Sequence, residues 1–307
     1  MPDELELKLN KLSPFIEEIA TTRIRKNRVF VACLRASLVK AFEFSQHVCQ
    51  RPSEESYFLS ASLRGITEDI IYLRYLSKMP LQDREKISRG LMDIEILKML
   101  KHQQEFFSVM RPFQPVLGRG DIDVKEVEKI VRTVWQAHGW PSLKSVNPPT
   151  REIAEKSDSG VLEVVYDFIY RFTSGFVHFN PQILLRSGWG ENKNIMKFST
   201  KNMDLYYSAF CRIYGTYLLC LYFEFFNKFF RAGPEIKEIV SEIREALMIK
   251  HRWPEMVTFE EMNVDVPQPS KFSMMMGGAL YAVISRDGFI RGAEYLIRSD
   301  QRQPRRG

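Results

Sequence analysis

A stripe of aliphatic residues at helical spacing is the feature that most constrains the fold of this 307-residue chain. Successive members stand four, three, four and three residues apart; they are Leu59, Leu63, Ile66, Ile70 and Leu73. Because an α-helix turns once in about 3.6 residues, these side chains lie along one face. An apolar face of this length must be buried against other elements. The pattern therefore predicts a helix packed inside a bundle.

Helical periodicity recurs along most of the chain, so the sequence predicts an all-α helical bundle. With 22 Phe and 12 Tyr against 16 Gly and 15 Pro, the composition favours packed helices over a loop-rich sandwich. Besides the helix that carries the stripe, helices are expected at about 3–25, 29–49, 81–110, 159–179 and 203–231. Two more are expected after residue 235.

Three parts of the sequence depart from the bundle pattern. Residues 111–150 carry clustered Pro and Gly around a short helical stretch, which predicts a loop-rich insertion. Residues 182–201 favour a short β-hairpin or a mobile loop, because glycines separate two apolar-polar segments. A Gly-Pro pair ends the longest apolar helix, so we expect a bundle domain at 1–232 and a C-terminal helical segment with a basic tail at 233–307.

Cysteine usage and the amino terminus indicate an intracellular chain. No cysteine belongs to a C-x-x-C pair or has a histidine at metal-ligand spacing, so we expect reduced, buried thiols and neither a metal nor another cofactor. The acidic amino terminus lacks a secretory signal, and the most apolar run, 213–223, is too short to span a bilayer. These features favour a cytoplasmic protein without membrane contact. The cysteines are Cys33, Cys49, Cys211 and Cys220.

The distribution of charge is more informative than its total. A formal net charge of +6, from 44 basic and 38 acidic residues, does not by itself distinguish a nucleic-acid-binding protein. Between residues 19 and 42, however, there are six basic residues and no acidic one. This cluster is a candidate polyanion contact surface, and its first four members are the candidate nucleic-acid-binding residues. The six are Arg23, Arg25, Lys26, Arg28, Arg35 and Lys40.

A second stripe, on the helix expected at 159–179, is polar. Its members stand four, three and four residues apart and share one helix face; they are Asp167, Arg171, Ser174 and His178. Arg171 and His178 lie two turns apart, roughly 10 Å along the axis, so a phosphodiester fits between their side chains. A guanidinium clamps phosphate oxygens, and an imidazole moves protons near neutral pH. The pair therefore suits RNA cleavage without a metal.

The position of each group on this helix indicates a role. His178 is expected at the carboxyl end, where the macrodipole favours the imidazolium and suits a general acid. Asp167, one turn before Arg171, is placed to hold the guanidinium. The alternative is an exposed helix face with one Asp–Arg ion pair and a histidine that merely ends the helix. On spacing alone this alternative is favoured.

A further charged pair, Arg64 and Glu68, lies beside the aliphatic stripe and next to Gly65. An arginine and a glutamate four residues apart most often form a structural ion pair. If their helix instead packs on the helix that bears Arg171, Glu68 can orient Arg171 or His178, and Arg64 can add a contact to phosphate. Both interpretations remain open.

The motif R-F-T-S-G-F-V-H at residues 171–178 resembles the HEPN superfamily (higher eukaryotes and prokaryotes nucleotide-binding). Ribonuclease members of that superfamily carry Arg, four to six residues and then His on a helix of a bundle. The motif L-R-G-I-T-E at 63–68, together with Y-R at 170–171 and residues 174–178, resembles a bacterial helical family of unknown function. The combined resemblance covers about 29–231.

The HEPN resemblance implies RNA cleavage without a metal, through attack of the ribose 2′-hydroxyl. Such proteins commonly form a homodimer that joins two Arg and His sets, or a larger defence complex, and often serve as toxins or antiviral effectors. On this basis Arg171 stabilises charge on the phosphate and His178 transfers protons. The residues expected to support the pocket are Arg64, Glu68, Asp167, Ser174 and Asn180.

Two other function classes remain open. The chain is alternatively a non-catalytic helical adaptor or regulatory subunit that binds a partner through its aromatic surface and residues 182–201, where Trp189 suits an inserted anchor. A third class is a nucleic-acid-binding protein without cleavage, in which the basic cluster matters and His178 does not. Only a catalytic role predicts that His178→Ala removes activity from a protein that stays folded.

Overall fold

The structure is a computed structural model that describes residues 4–21, 28–50, 55–115, 124–157, 160–192 and 195–255, with the backbone alone for 189–192 and 195–196. The chain divides into two units after Glu255, and the described residues all belong to the first unit. In this part of the chain the fold is all-α apart from one short hairpin, which confirms the predicted class.

The described residues form α-helices, one π-helical segment and two strands. The amino-terminal half contains α1 (Glu4–Ala20), α2 (Val29–Gln50), α3 (Ser56–Ser77), α4 (Leu81–Met110) and α5 (Val124–Ala137). The carboxyl-terminal half contains α6 (Thr150–Lys156), α7 (Gly160–Val165), the π segment (Tyr166–Tyr170), α8 (Arg171–Ser174), α9 (Pro181–Arg186), β1 (Gly188–Asn192), β2 (Ile195–Phe198), α10 (Asp204–Phe230) and α11 (Pro234–Lys250). The helices expected at 29–49, 81–110 and 203–231 are confirmed as α2, α4 and α10.

Helix α10 forms the centre of the bundle, where it packs against α2 and α3. Apolar residues surround its axis, as is typical of a fully buried helix, and they include Phe210, Leu218 and Phe226. Gly215 allows α2 to approach closely, because a Cβ there would lie 2.5 Å from Cε1 of Phe44. In the described part of the chain, no helix has both the length and the apolarity to cross a membrane.

The aliphatic stripe that predicts a bundle helix is buried except at its first member, Leu59, which is half-buried. Leu63, Ile66, Ile70 and Leu73 are all buried in α3, which packs against α10 and α2. Helix α3 also contacts α6, the π segment and α8. It therefore connects the core to the elements that carry the polar stripe.

The segment at 111–150 contributes to the core, which corrects the prediction of a loop-rich insertion. Helix α5 packs against α4 and buries Val131 and Trp135 completely. At the crossing, a Cβ on Gly90 would overlap the side chain of Val131, so the two helices are in close contact. The Pro and Gly residues of this segment flank α5 and do not extend through it. They indicate the ends of a packed helix.

Helix α11 also belongs to the bundle. It packs against α1 and α10 through an apolar stripe that includes Ile239, Ile243 and Leu247. The first unit continues through this helix to Glu255, so the boundary predicted after residue 232 falls inside it. The Gly-Pro pair before α11 is a turn between two packed helices, and the predicted basic tail lies outside the described residues.

The hairpin predicted within 182–201 is confirmed between Gly188 and Phe198. These two residues pair with each other, and β1 and β2 run antiparallel. The apolar segment before the hairpin is helical, as α9. Helix α9 contacts β1, and both elements come soon after the polar stripe in the sequence.

The cysteines are all free thiols, as expected, but they are not all buried. Cys49, Cys211 and Cys220 are buried, and burial raises the pKa of each thiol to about 12. Cys33 on α2 is exposed, which corrects its predicted burial. It lines a pocket together with residues of α3 and α4.

Candidate functional site

The polar stripe lies on a helix that is shorter and less regular than its spacing predicts. The sequence predicts one α-helix over 159–179, whereas the structure has α7, one widened π turn and α8, which ends at Ser174. His178 therefore lies beyond the carboxyl end of the helix, and its backbone N–H donates to the carbonyl of Ser174 at 3.0 Å. A single π turn inside a helix often occurs at a functional site.

Gly175 allows the chain after the helix to pack closely against its end. A Cβ at this position would lie 2.7 Å from Cγ1 of Ile183 and 2.9 Å from Nδ2 of Asn180. Helix α9 and the residue before it are therefore folded back against the end of α8. The next residues form tighter turns, in which Phe176 donates to the carbonyl of Thr173.

Arg171 and Asp167 form the ion pair that their spacing predicts. Nε of Arg171 lies 3.6 Å from Oδ1 of Asp167, and the two side chains are 55% and 50% exposed. A pair this exposed contributes little to stability. The pair involves Nε of the guanidinium, and the Arg171 side chain remains more than half exposed.

His178 is exposed and, among the described residues, has neither a hydrogen bond nor an ion pair to its imidazole. Its neighbours Val177 and Phe179 are exposed apolar residues, the latter 86% exposed. The imidazole is therefore accessible to a ligand. It lies on a surface that is otherwise partly apolar.

Ser174 and Asn180 are occupied by local backbone bonds. The hydroxyl of Ser174 donates to the carbonyl of Tyr170 at 2.7 Å. Oδ1 of Asn180 accepts from the backbone N–H groups of Gln182 and Ile183, at 3.0 and 3.4 Å, and caps α9. Both side chains therefore bond to the backbone on either side of His178.

The structure brings Arg64 to the polar stripe and places Glu68 elsewhere. Nη2 of Arg64 donates to the hydroxyl of Tyr170 at 3.1 Å, directly before Arg171 in sequence. Glu68 accepts a hydrogen bond at 3.1 Å from Thr150, the first residue of α6. Within the described chain, Glu68 has no bond to Arg171, His178 or Arg64. The packing of the two helices is as hypothesised, but the orienting role of Glu68 is not observed.

A pair of stacked tyrosines completes the surface, and the predicted site did not include it. The rings of Tyr166 and Tyr170 lie 4.7 Å apart at an interplanar angle of 19°. Arg64 lies over the Tyr170 ring, 5.2 Å from its centroid. The pKa of Arg151 is raised, chiefly by its hydrogen bond to Glu155 and in smaller part by Asp167 and Tyr166, so Arg151 is near the same stack. The spacing of the tyrosines, four residues apart beside Arg171, was the available signal.

The basic cluster predicted to bind nucleic acid lies largely outside the described residues. The members that lie outside are Arg23, Arg25 and Lys26. Arg28 is described and exposed, immediately before α2. Within the described residues, no hydrogen bond or ion pair joins Arg28 to the polar stripe.

The fold and site together define a class: an all-α bundle protein whose irregular helix carries stacked tyrosines and an exposed arginine and is followed by an exposed histidine. No family model, curated protein or solved structure matches this chain. The function of this chain is therefore inferred from the chemistry of the site.

Proposed function

We propose that this protein is a metal-independent endoribonuclease in which Arg171 and His178 act on one phosphodiester. One observation supports the proposal: the Arg171 side chain is 55% exposed in the last helical turn, and the exposed His178 follows four residues after the helix ends at Ser174. These are the groups needed to stabilise a phosphate and to transfer a proton.

The turns after Ser174 keep the two groups on one side. From Arg171 to Ser174 the chain is α-helical, and from Ser174 to His178 it follows tighter turns of the same hand. With about 100° for each α-helical residue and about 120° for most of the others, the two directions differ by roughly 40°. Their separation along the axis is roughly 12 Å, so a ribose and its phosphate fit between the side chains.

The proposed reaction uses each group once. The ribose 2′-oxygen attacks the adjacent phosphorus and loses its proton, while the bond from phosphorus to the 5′-oxygen breaks and that oxygen gains a proton. The products are a 2′,3′-cyclic phosphate and a 5′-hydroxyl end. Arg171 stabilises the charge on the nonbridging oxygens. Protonated His178 donates to the 5′-oxygen, and water accepts the 2′ proton.

The tyrosine stack supports RNA as the substrate. Unpaired bases stack on tyrosine rings and on arginine guanidinium planes, and Tyr166, Tyr170 and Arg64 supply both. Arg151, which is paired with Glu155, lies near the same tyrosines. This combination favours single-stranded or looped RNA, because a duplex keeps its bases inside the helix.

Exposed apolar residues next to His178 support a homodimer as the active form. Val177, Phe179, Leu184 and Leu185 are each at least half exposed. A patch of this kind marks an interaction surface. A second copy packed here brings a second His178 close to the first, in place of water as the proton acceptor.

Cleavage in excess EDTA tests the proposal. Purified protein is incubated with mixed tRNA and a structured RNA, and we expect Arg171→Ala and His178→Ala each to lower the rate by about 100-fold or more. Arg252→Ala and His102→Ala are matched controls, since each removes an exposed side chain paired with a glutamate three residues away. Intact RNA with the wild-type protein, or equal losses in the controls, would contradict the proposal.

The dimer is tested separately. Phe179→Asp is expected to yield a monomer by light scattering and to lower cleavage, because a buried carboxylate opposes association. Phe113→Asp changes a fully exposed phenylalanine elsewhere and should alter neither property. If Phe179→Asp leaves the mass and the rate unchanged, this surface is not the dimer interface.

A non-catalytic adaptor is the second candidate, and one observation favours it. The end of α4 and the residues after it expose Phe106, Val109, Met110 and Phe113. Contiguous exposed apolar residues are typical of a protein-binding surface. RNA left intact by wild-type protein, together with a partner lost in Phe106→Asp, would favour this candidate over the ribonuclease.

A further inference from the structure

A pocket of about 590 Å³ opens between α2, α3 and α4, and neither Arg171 nor His178 lines it. The segment before α6 closes one side through Asn147. Tyr72 holds that segment, because its hydroxyl donates to the carbonyl of Pro148 at 2.6 Å. The volume is in the range of pockets that bind small molecules.

The two ends of the pocket differ in polarity. The chain reverses between α2 and α3 and again between α3 and α4, so residues early in α2 lie level with residues late in α3. One end is therefore formed by Cys33 and Leu76. The other end carries Lys40, Glu68 and Glu95. A ligand that fits both ends has an apolar body and a charged head.

A hydrogen-bonded chain fixes the wall between the two ends. Ser37 donates to Oδ2 of Asp69 at 3.0 Å, Ser37 also bonds to the buried hydroxyl of Tyr222, and Lys40 forms an ion pair with Asp69. Burial raises the pKa of Tyr222 well above its usual value, so this hydroxyl stays protonated. The charges of Lys40 and Asp69 are therefore engaged with each other.

Two carboxylates remain for a ligand. Glu95 is exposed and, within the described residues, has no hydrogen bond or ion pair. Glu68 accepts one hydrogen bond, from the hydroxyl of Thr150. The lining has three carboxylates and one ammonium, a formal charge of −2, in a chain whose formal charge is +6. The pocket therefore attracts a cation and repels an anion.

We propose that this pocket binds a small organic cation, an ammonium group on an apolar chain. The ammonium lies between Glu68 and Glu95, and the chain extends along Leu73 and Leu76 toward Cys33. Both parts of the ligand are required, since the carboxylates supply specificity and the apolar wall supplies buried area. The inference is independent of the proposed ribonuclease activity.

Cys33 provides the readout, because it lines the apolar end and the other three cysteines are buried. The intact protein is alkylated with iodoacetamide at mildly alkaline pH, and labelling is followed by mass spectrometry. The probes are hexylamine, hexanol and hexanoate, which share one chain and differ in head charge. We expect hexylamine to protect Cys33 at concentrations at least about tenfold below hexanol, and hexanoate to protect least. Cys33→Ser should abolish the labelling.

Three variants distinguish a charge-specific site from a general apolar one. Glu95→Gln and Glu68→Gln should each weaken hexylamine about tenfold and leave hexanol unchanged. Lys40→Met frees Asp69 and should strengthen hexylamine. His178→Ala should bind hexylamine as the wild type does, which separates this test from that of RNA cleavage. Equal protection by the three probes, or no protection by hexylamine, would overturn the proposal.

Discussion

Nη2 of Arg64 donates to the hydroxyl of Tyr170 at 3.1 Å while the guanidinium lies over the Tyr170 ring. This contact joins α3, a core helix, to the π segment that precedes Arg171. Tyr166 stacks on the same Tyr170 ring, so Tyr170 contacts both the guanidinium and a second aromatic ring. A nucleobase extends such a stack without a change in the protein.

The stack leads to a prediction about RNA affinity. Tyr166→Ala is expected to weaken binding of single-stranded RNA by about 1–3 kcal/mol, because one base loses its stacking partner. Fluorescence anisotropy with His178→Ala as the background measures affinity without cleavage. Tyr166→Phe keeps the ring and should bind within about twofold of the parent. An equal loss in both variants would show that the hydroxyl, and not stacking, is responsible.

Gly175 gives a prediction about stability. Gly175→Ala is expected to lower the free energy of unfolding by about 1–3 kcal/mol, because its Cβ overlaps Ile183 and Asn180. Gly160→Ala is the matched control, since a Cβ on Gly160 has no atom within 4 Å in the described structure. Alanine there should leave stability unchanged or raise it by up to about 1 kcal/mol. Urea unfolding measures both, and a Gly175→Ala protein as stable as wild type would contradict the close packing.

Sequence periodicity was sufficient for the parts of the fold where burial alone selects the structure. The stripe through Leu63 and Ile70 gives α3 one apolar face, and such a face is buried only by packing against other elements, here α10 and α2. The burial of Trp135 was not predicted, because the Pro and Gly residues around its helix suggested a loop-rich insertion. Helix α5 nevertheless carries an apolar stripe of its own. Local turn residues report where a helix ends and do not report whether it packs.

The candidate site was less predictable, for a different physical reason. Residue spacing assumes a uniform helix, and it correctly paired Asp167 with Arg171 across one turn. Spacing contains neither the π segment nor the end of the helix at Ser174, and it does not show that α9 packs against Gly175. His178 therefore lies in the turn after the helix and not on the predicted helical face.

Asn180 gives a prediction that separates capping from RNA contact. Asn180→Ala is expected to cost about 1 kcal/mol of stability, because the N–H groups of Gln182 and Ile183 lose their acceptor. Asn180→Asp keeps the acceptor oxygen and should unfold at the same urea concentration as wild type. If the aspartate variant is as unstable as the alanine variant, the amide nitrogen is what matters, and the cap is not the role of this residue.

His251, which follows α11, gives a prediction about pH. Its pKa is lowered, first by burial and then by the nearby charges of Arg212 and Lys250, against an opposing effect of Glu4. The unfolded chain therefore binds more protons than the folded chain between the lowered pKa and the ordinary histidine value of about 6.5, so stability rises with pH across that interval. In wild-type protein, stability is lost as the pH falls below about 6.5.

His251→Gln removes this proton-binding group and should flatten that part of the profile. Urea unfolding at about pH 7.5 and about pH 5.5 measures the loss of stability in each protein, and we expect a smaller loss in the variant. Any difference between the two proteins must arise at the lower pH, because His251 is neutral at the higher pH in both the folded and the unfolded chain. Parallel profiles would mean that the imidazole is as well solvated in the folded protein as in the unfolded chain.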